Sequence, residues 1–343
     1  MPVSLTPKLM LIFLLTVSGC WKHQQHEVTA PATPVYQLSG TISDFNSGRS
    51  LANIEILCEV HRLSFQWELA TENTFTDSTG HFEFTLCPGE YVLHFKREGF
   101  PLREERIMMP FENRQFDYQL PAIISTPKRW LAPNTHGLDW LAASAMARVS
   151  IDSASNSYRV FFGNFVNGFF PLGLNNVTDK NPPLSGLIWA NNFFWSSGGT
   201  FSQPKIFQIN ASTGLVAEEL PAPHRLRDLT WDGTNIWAIG SNDSVYYFNE
   251  TGTEILKTFA GPDAYLSGIA FSGENFWAYS KKQKALFCAK ETWTTWKIYC
   301  LFYKDETDSI IHLENISYLT AGSDKMLWGV ENDWIYEFIL PNE

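Results

Sequence analysis

Short runs of alternating apolar and polar residues dominate the chain from residue 36 onward. Residues 54–60 (IEILCEV) place Ile54, Ile56, Cys58 and Val60 on one face. Residues 81–86 align Phe82, Phe84 and Leu86, and residues 91–96 align Tyr91, Leu93 and Phe95. The turn signals Thr76-Asp77-Ser78-Thr79-Gly80 and Cys87-Pro88-Gly89-Glu90 separate these runs. With a first strand at 37–44 and edge strands at 103–108 and 116–120, the pattern predicts a small β-sandwich over 36–120.

A different regularity follows a connector at 121–135, which contains Pro121, Pro127 and Pro133. Residues 184–195 read LSGLIWANNFFW, 226–237 LRDLTWDGTNIW and 266–277 LSGIAFSGENFW; 318–328 (YLTAGSDKMLW) is a looser copy. The closing residues Trp195, Trp237, Trp277 and Trp328 are 42, 40 and 51 residues apart. Each is followed by a second short strand. Four strands in about 40 residues is the size of one propeller blade, and residues 136–343 hold about five such units. Sustained helical periodicity is missing at 136–183. The predicted fold is therefore all-β, a sandwich plus a ring of repeats. The tryptophans are expected between neighbouring repeats as large apolar bodies. The last copy ends one strand short, so a strand from 121–141 is expected to complete it, with residues 122–125 as first choice.

Composition agrees with many strands and turns: 26 Phe, 13 Trp and 12 Tyr stand beside 22 Gly and 18 Pro in 343 residues. The net charge of −11, with no basic stripe, argues against a nucleic-acid partner. The N-terminal segment reads as an address. Lys8 precedes a nine-residue apolar run at 9–17, too short to span a bilayer, and Val17-Ser18-Gly19-Cys20 closes it. That ending resembles the lipobox of bacterial lipoproteins. The resemblance implies a signal peptide at 1–19, an acylated Cys20 and a tether at 20–35. Trp21 follows the cysteine where Asp would retain a lipoprotein at the inner membrane, which implies the outer membrane. The implied location is the cell envelope, and the lipid anchor makes the membrane a partner. The oxidising envelope suggests disulfides Cys58–Cys87 and Cys288–Cys300, one within each expected domain.

Residues 36–120 also resemble the carboxypeptidase regulatory-like domain, through Ser39-Gly40-Thr41-Ile42, the Thr76 turn leading into His81-Phe82-Glu83-Phe84, Pro88-Gly89-Glu90-Tyr91 and Gly99-Phe100. The resemblance implies a prealbumin-like (transthyretin-like) sandwich that is accessory rather than catalytic. The repeat region resembles five-bladed β-propellers in general and distantly the glutaminyl-cyclotransferase type, without that enzyme's acidic and aromatic motifs.

Chemistry is sparse in the sequence. Nucleophile-elbow, HExxH, P-loop and dinucleotide motifs are missing, and no metal or cofactor set is assigned. His61, His81 and His94 read as strand or turn residues, and His23 and His26 as tether. One internal contrast stands out. Arg227-Asp228 replaces the Ser-Gly of the first and third copies at the start of the innermost strand. With His224 and Arg225, this pair is the candidate ligand contact. Two functions fit: a lipid-anchored binding or scaffold protein presenting the propeller to a protein or glycan, or an envelope enzyme with a channel site of lactonase or cyclotransferase type. The balance favours binding. Three or more carboxylates and Asn side chains at the channel mouth would favour the enzyme, and a shallow channel plugged by aromatics would favour binding.

Overall fold

The structure is a computed structural model that describes residues 34–63, 72–98, 103–126, 128–142, 145–152, 157–164, 168–171, 178–179, 184–290, 292–294, 296–304, 307, 309–322 and 325–341. Cys20 and the expected signal, tether and histidines 23 and 26 lie outside these residues. Every regular element among the described residues is a strand. No described helix is long and apolar enough to cross a membrane. Val35–Glu343 forms one compact unit.

Two four-stranded sheets build the first part. Tyr36–Asp44 pairs with His81–Leu86 and, in parallel, with Arg114–Gln115 and Tyr118–Leu120. The second sheet runs Glu72–Phe75, Glu55–Leu63, Gly89–Lys96, Arg103–Met109. Alternation delivers one face of each to a shared core of Leu38, Ile42, Ile56, Phe82, Phe84, Leu93 and Phe95.

Five further sheets follow. Sheet 1 holds Thr135–Ala142, Ala145–Asp152, Ser157–Asn164 and Gly168–Pro171, with Thr178–Asp179 against its third strand. Sheet 2 holds Ser185–Ala190, Phe193–Gly199, Pro204–Asn210 and Val216–Pro221. Sheet 3 holds Leu226–Trp231, Ile236–Gly240, Ser244–Phe248 and Ile255–Ala260. Sheet 4 holds Leu266–Ser272, Asn275–Ser280, Ala285–Ala289, Trp296–Lys304 and Ile310–His312. Sheet 5 holds Tyr318–Ala321, Met326–Glu331 and Trp334–Ile339. The first strand of each sheet neighbours the first strand of the next, and that of sheet 5 returns to sheet 1. Separate apolar cores fill the interfaces. Trp195 lies between sheets 2 and 3, Trp237 between 3 and 4, Trp277 between 4 and 5, and Trp328 between 5 and 1. All four are essentially buried, as the repeat pattern requires.

The expected connector is itself structured. Lys128–Leu131 pairs antiparallel with Trp334–Ile339 and supplies the fourth strand of sheet 5. Lys128 faces Glu337 at 3.1 Å, and the Arg129 guanidinium lies 4.2 Å from the Trp334 ring centroid. The expected first choice, 122–125, instead belongs to Ala122–Thr126, which pairs in parallel with Trp296–Lys304 of sheet 4. That strand ties the ring to the first two sheets. Asn46 reinforces the junction: its amide nitrogen donates to the Ile298 carbonyl (3.0 Å), and its oxygen accepts the Ile298 N–H (2.8 Å).

The disulfide expectation is corrected. Cys58, Cys87, Cys288 and Cys300 are all free thiols. Cys288 is opposite Lys297 in the antiparallel register, so Cys300 lies three residues further along, about 10 Å at 3.3 Å per residue. An odd offset also turns the two side chains to opposite faces. Cys288 enters the core between sheets 4 and 5, whereas Cys300 enters the core of the first two sheets. Cys58 points inward on Glu55–Leu63, whereas Cys87 lies outside the strands, in the turn between His81–Leu86 and Gly89–Lys96. Burial, with the nearby Glu72 charge, pushes the Cys58 thiol up to about 12.

Candidate functional site at the mouth of the ring

The five first strands run in one direction, because equivalent positions meet. The Trp189 N–H donates to Asp139 Oδ2 (2.6 Å) and the Phe271 N–H to Thr230 Oγ1 (3.0 Å), each bond linking one strand to the next. Their starting ends define a mouth. The turns after the second strands return to the same end, at Ser241–Asp243 and around Lys281.

Arg227 and Asp228 do different work there. The side chain one step before the axis donates to the following strand in three sheets. Ser185 Oγ reaches the Arg227 carbonyl (2.5 Å), Arg227 Nη1 the Leu266 carbonyl (2.7 Å), and Ser267 Oγ the Ile316 carbonyl (2.5 Å). Arg227 thus repeats a serine's task with a longer arm. Its guanidinium also pairs with Asp243 Oδ1 (2.5 Å) and donates to the Ser241 carbonyl (2.9 Å). Its acidic partner is Asp243, not Asp228.

Asp228 has no exposed surface. Its Oδ2 accepts the N–H groups of Ile269 (2.9 Å) and Leu319 (3.0 Å), from sheets 4 and 5. Its Oδ1 has no hydrogen-bond partner and lies against Gly186, where a Cβ would stand 2.8 Å from it. Gly186 holds φ +70°, so the glycine meets both a backbone and a space requirement. On its other side, a Cβ on Gly137 would fall 2.4 Å from the Gly186 carbonyl carbon. Backbone and carboxylate therefore fill the axis at this level. Burial holds the Asp228 pKa well above the ordinary carboxylate range, opposed by the three amides of Ile269, Leu319 and Leu229 and reinforced by Asp139. Asp139 is engaged as well, since its Oδ1 accepts the Thr320 hydroxyl at 3.0 Å.

Above this plug the mouth carries Tyr158, Tyr318, Lys281 and Arg225. Burial pushes the Tyr318 phenol up to about 12, against a hydrogen bond with Ser185 and with the Asp228 charge adding to the rise. Lys281 donates to Ser317 Oγ (3.0 Å), and burial lowers its pKa. Arg225 differs from the other cations. Its guanidinium lies 5.1 Å from the ring centroid of Phe201, a residue 79% exposed, and among the described residues no carboxylate pairs with it. His224 beside it is exposed, with its ring 6.1 Å from that of Tyr246. The four expected contact residues thus divide: His224 and Arg225 face outward with Phe201, while Arg227 and Asp228 hold strands together. The sequence reading passed over Phe201, which lies in a polar turn of sheet 2 with no pattern around it.

No group of three or more His, Cys, Asp and Glu residues that could hold a metal occurs among the described residues. Elsewhere, His94 is nearly buried between Glu59 (3.0 Å) and Glu104 (3.3 Å) on adjacent strands.

No protein-family model matches the chain, and no curated protein matches its sequence. Solved structures similar to it include the glutaminyl cyclase of Myxococcus xanthus, at 8% identity over 64% of this chain and 97% of that one, TM-score 0.49. The computationally designed Ika4 protein is 11% identical over 49% of this chain and 99% of its own, TM-score 0.33. A chain of the Mitotic Checkpoint Complex is 9% identical over 64% and 92%, TM-score 0.38. At these scores the likenesses add nothing to the strand pairing, from which the architecture is read.

Proposed function

We propose that this chain is a lipid-anchored binding protein of the cell envelope, held at the outer membrane through Cys20. In this reading the five sheets are the blades of a β-propeller, and the first two sheets are a prealbumin-like, carboxypeptidase regulatory-like module. The cyclic order of the inner strands, the five inter-sheet cores and the fourth strand borrowed by sheet 5 support the propeller.

The observation that carries the binding role is Arg225. A guanidinium stacked on an exposed phenylalanine, with no carboxylate paired to it among the described residues, suits a carboxylate-bearing protein or glycan partner. The axis is filled by backbone and the Asp228 carboxylate rather than by aromatics, and the reading rests on the rim alone.

The test uses the immobilised wild-type chain and the variant Arg225→Glu/Phe201→Ser. An envelope protein or glycan retained by the wild type and lost by the variant, with unchanged melting, is the expected result. Ammonia release from an N-terminal glutaminyl peptide, or hydrolysis of a lactone, would instead favour the enzyme reading. Equal retention by both chains would remove the rim from the account.

A further inference from the structure

The first two sheets and sheet 4 face each other across an open cleft of about 1150 Å³. Arg103 bridges it at one point: its guanidinium donates to the Gln283 carbonyl (2.7 Å) and lies 3.6 Å from Cys300 Sγ. Most charges on the walls are matched. Lys284 pairs with Glu314 (2.7 Å), Lys96 with Glu55 (3.8 Å) and Lys282 with Asp263 (3.7 Å), and Glu104 takes His94 (3.3 Å). Burial lowers the His312 pKa, opposed by Glu314 and aided by Lys284, so this wall imidazole is neutral at pH 7 and adds no charge. Four wall charges are left over. Among the described residues, Arg97 and Arg103 have no carboxylate at ion-pair distance, and Glu98 and Glu105 have no cation.

These four are two of each sign, held close but not paired. Arg97 and Glu98 are consecutive, and Arg103 and Glu105 are alternate residues of one strand, about 6.6 Å apart at 3.3 Å per residue. Arg97 is the one wall cation with neither hydrogen bond nor ion pair to a described residue. Its Nη1 is buried without a hydrogen-bond partner, and so is Nδ1 of His312 on the opposite wall of the same cleft. A buried guanidinium N–H without an acceptor is costly, and a carboxylate is the acceptor that a guanidinium matches best. A ligand bearing both signs would satisfy all four charges at once. The exposed Phe75 and the Tyr118 ring add apolar wall surface, and the volume exceeds what a single amino acid fills. We propose that this cleft binds a short peptide with both ends free, its C-terminal carboxylate at Arg97 and Arg103 and its N-terminal ammonium at Glu98 and Glu105. The inference stands apart from the rim and from the binding role assigned to it.

The dipeptide glycyl-phenylalanine is titrated by calorimetry into the unacylated full chain (Cys20→Ala), beside its N-acetyl and its C-amide derivatives. The expected result is saturable binding of the free dipeptide, weakened roughly fivefold or more by blocking either end. The variants assign the ends. Arg97→Gln should shrink the preference for a free carboxylate and keep that for a free amine, and Glu105→Gln should do the reverse, with Glu98→Gln as the second acidic variant should Glu105→Gln fail to fold. The rim variant Arg225→Glu/Phe201→Ser should bind the dipeptide as the wild type does, which separates this site from the rim. No saturable binding by the wild type, or equal binding of free and blocked dipeptides, would overturn the proposal. So would both preferences surviving in the cleft variants, or binding lost in the rim variant.

Discussion

Replacing Asp228 by alanine tests how the ring axis is held. The wild-type carboxylate takes two buried N–H groups, those of Ile269 and Leu319, through one oxygen. Alanine leaves both without an acceptor, at about 1–3 kcal/mol each. Removing a buried carboxyl offsets part of this, so a net loss of about 2–4 kcal/mol is expected. For a unit of this size that lowers Tm by roughly 5–10 °C. Asparagine keeps an acceptor oxygen for both amides, and Asp228→Asn should stay within about 1 kcal/mol of wild type near pH 4, where the native carboxyl is protonated. The pH dependence separates the two carboxyl states. Because the folded-state pKa of Asp228 is raised, the native chain binds this proton more tightly than the unfolded chain. Its contribution is full below the unfolded pKa and falls as pH rises toward the folded value, by on the order of 1 kcal/mol per pH unit. Thermal melts of wild type and Asp228→Asn between pH 4 and 8 should therefore diverge, the wild type losing relative stability as pH rises. An Asp228→Ala chain that melts with the wild type, or parallel pH profiles for wild type and Asp228→Asn, would refute the reasoning.

Other expectations follow from single contacts. Arg225→Ala should change stability by less than about 0.5 kcal/mol in chemical denaturation, since its partner ring is exposed, and a larger loss would make it structural. Trp237→Ala, which empties the core between sheets 3 and 4 and frees Asp232, should cost about 3–5 kcal/mol by the same assay. Alkylation under denaturing, non-reducing conditions should modify Cys58, Cys87, Cys288 and Cys300 alike, read by peptide mass; any of the four protected as a disulfide would contradict the free thiols. Cys20→Ala should abolish palmitate labelling and membrane fractionation, and unchanged labelling would remove the proposed anchor.

Local pattern made the strands and the repeat readable. Alternation around Ile56, Phe84 and Leu93 marked the first sheets, and the LSGLIW-type copies marked the innermost strands with their tryptophans. The short last copy even pointed to a strand borrowed from 121–141, but the first choice, 122–125, was the wrong one. Ala122–Thr126 and Lys128–Leu131 are neighbours of similar strand character, and their partners lie far off in sequence. Pairing across such distances is a tertiary outcome that composition does not encode. The same limit explains the cysteines: a spacing of 12 residues between Cys288 and Cys300 says nothing about the odd register that separates them. Arg227-Asp228 was visible as an anomaly, yet its role depended on which carbonyls and amides the neighbouring strands presented. Phe201, whose ring gives Arg225 its place at the rim, left no signal at all.

The ring itself is tested most directly by a paired cysteine substitution, Lys128→Cys/Glu337→Cys. These residues are register partners on adjacent strands, and their side chains already meet as an ion pair. Antiparallel partners lie about 4.5–5.5 Å apart at Cα, within reach of a disulfide. Oxidation should give a cross-link between peptides containing positions 128 and 337, and should raise the melting temperature. The control pair Ile123→Cys/Glu337→Cys should give no cross-link between positions 123 and 337, because Ile123 belongs beside Cys300 on sheet 4. A cross-link in the control with none at 128–337 would contradict the closure of the fifth sheet by Lys128–Leu131.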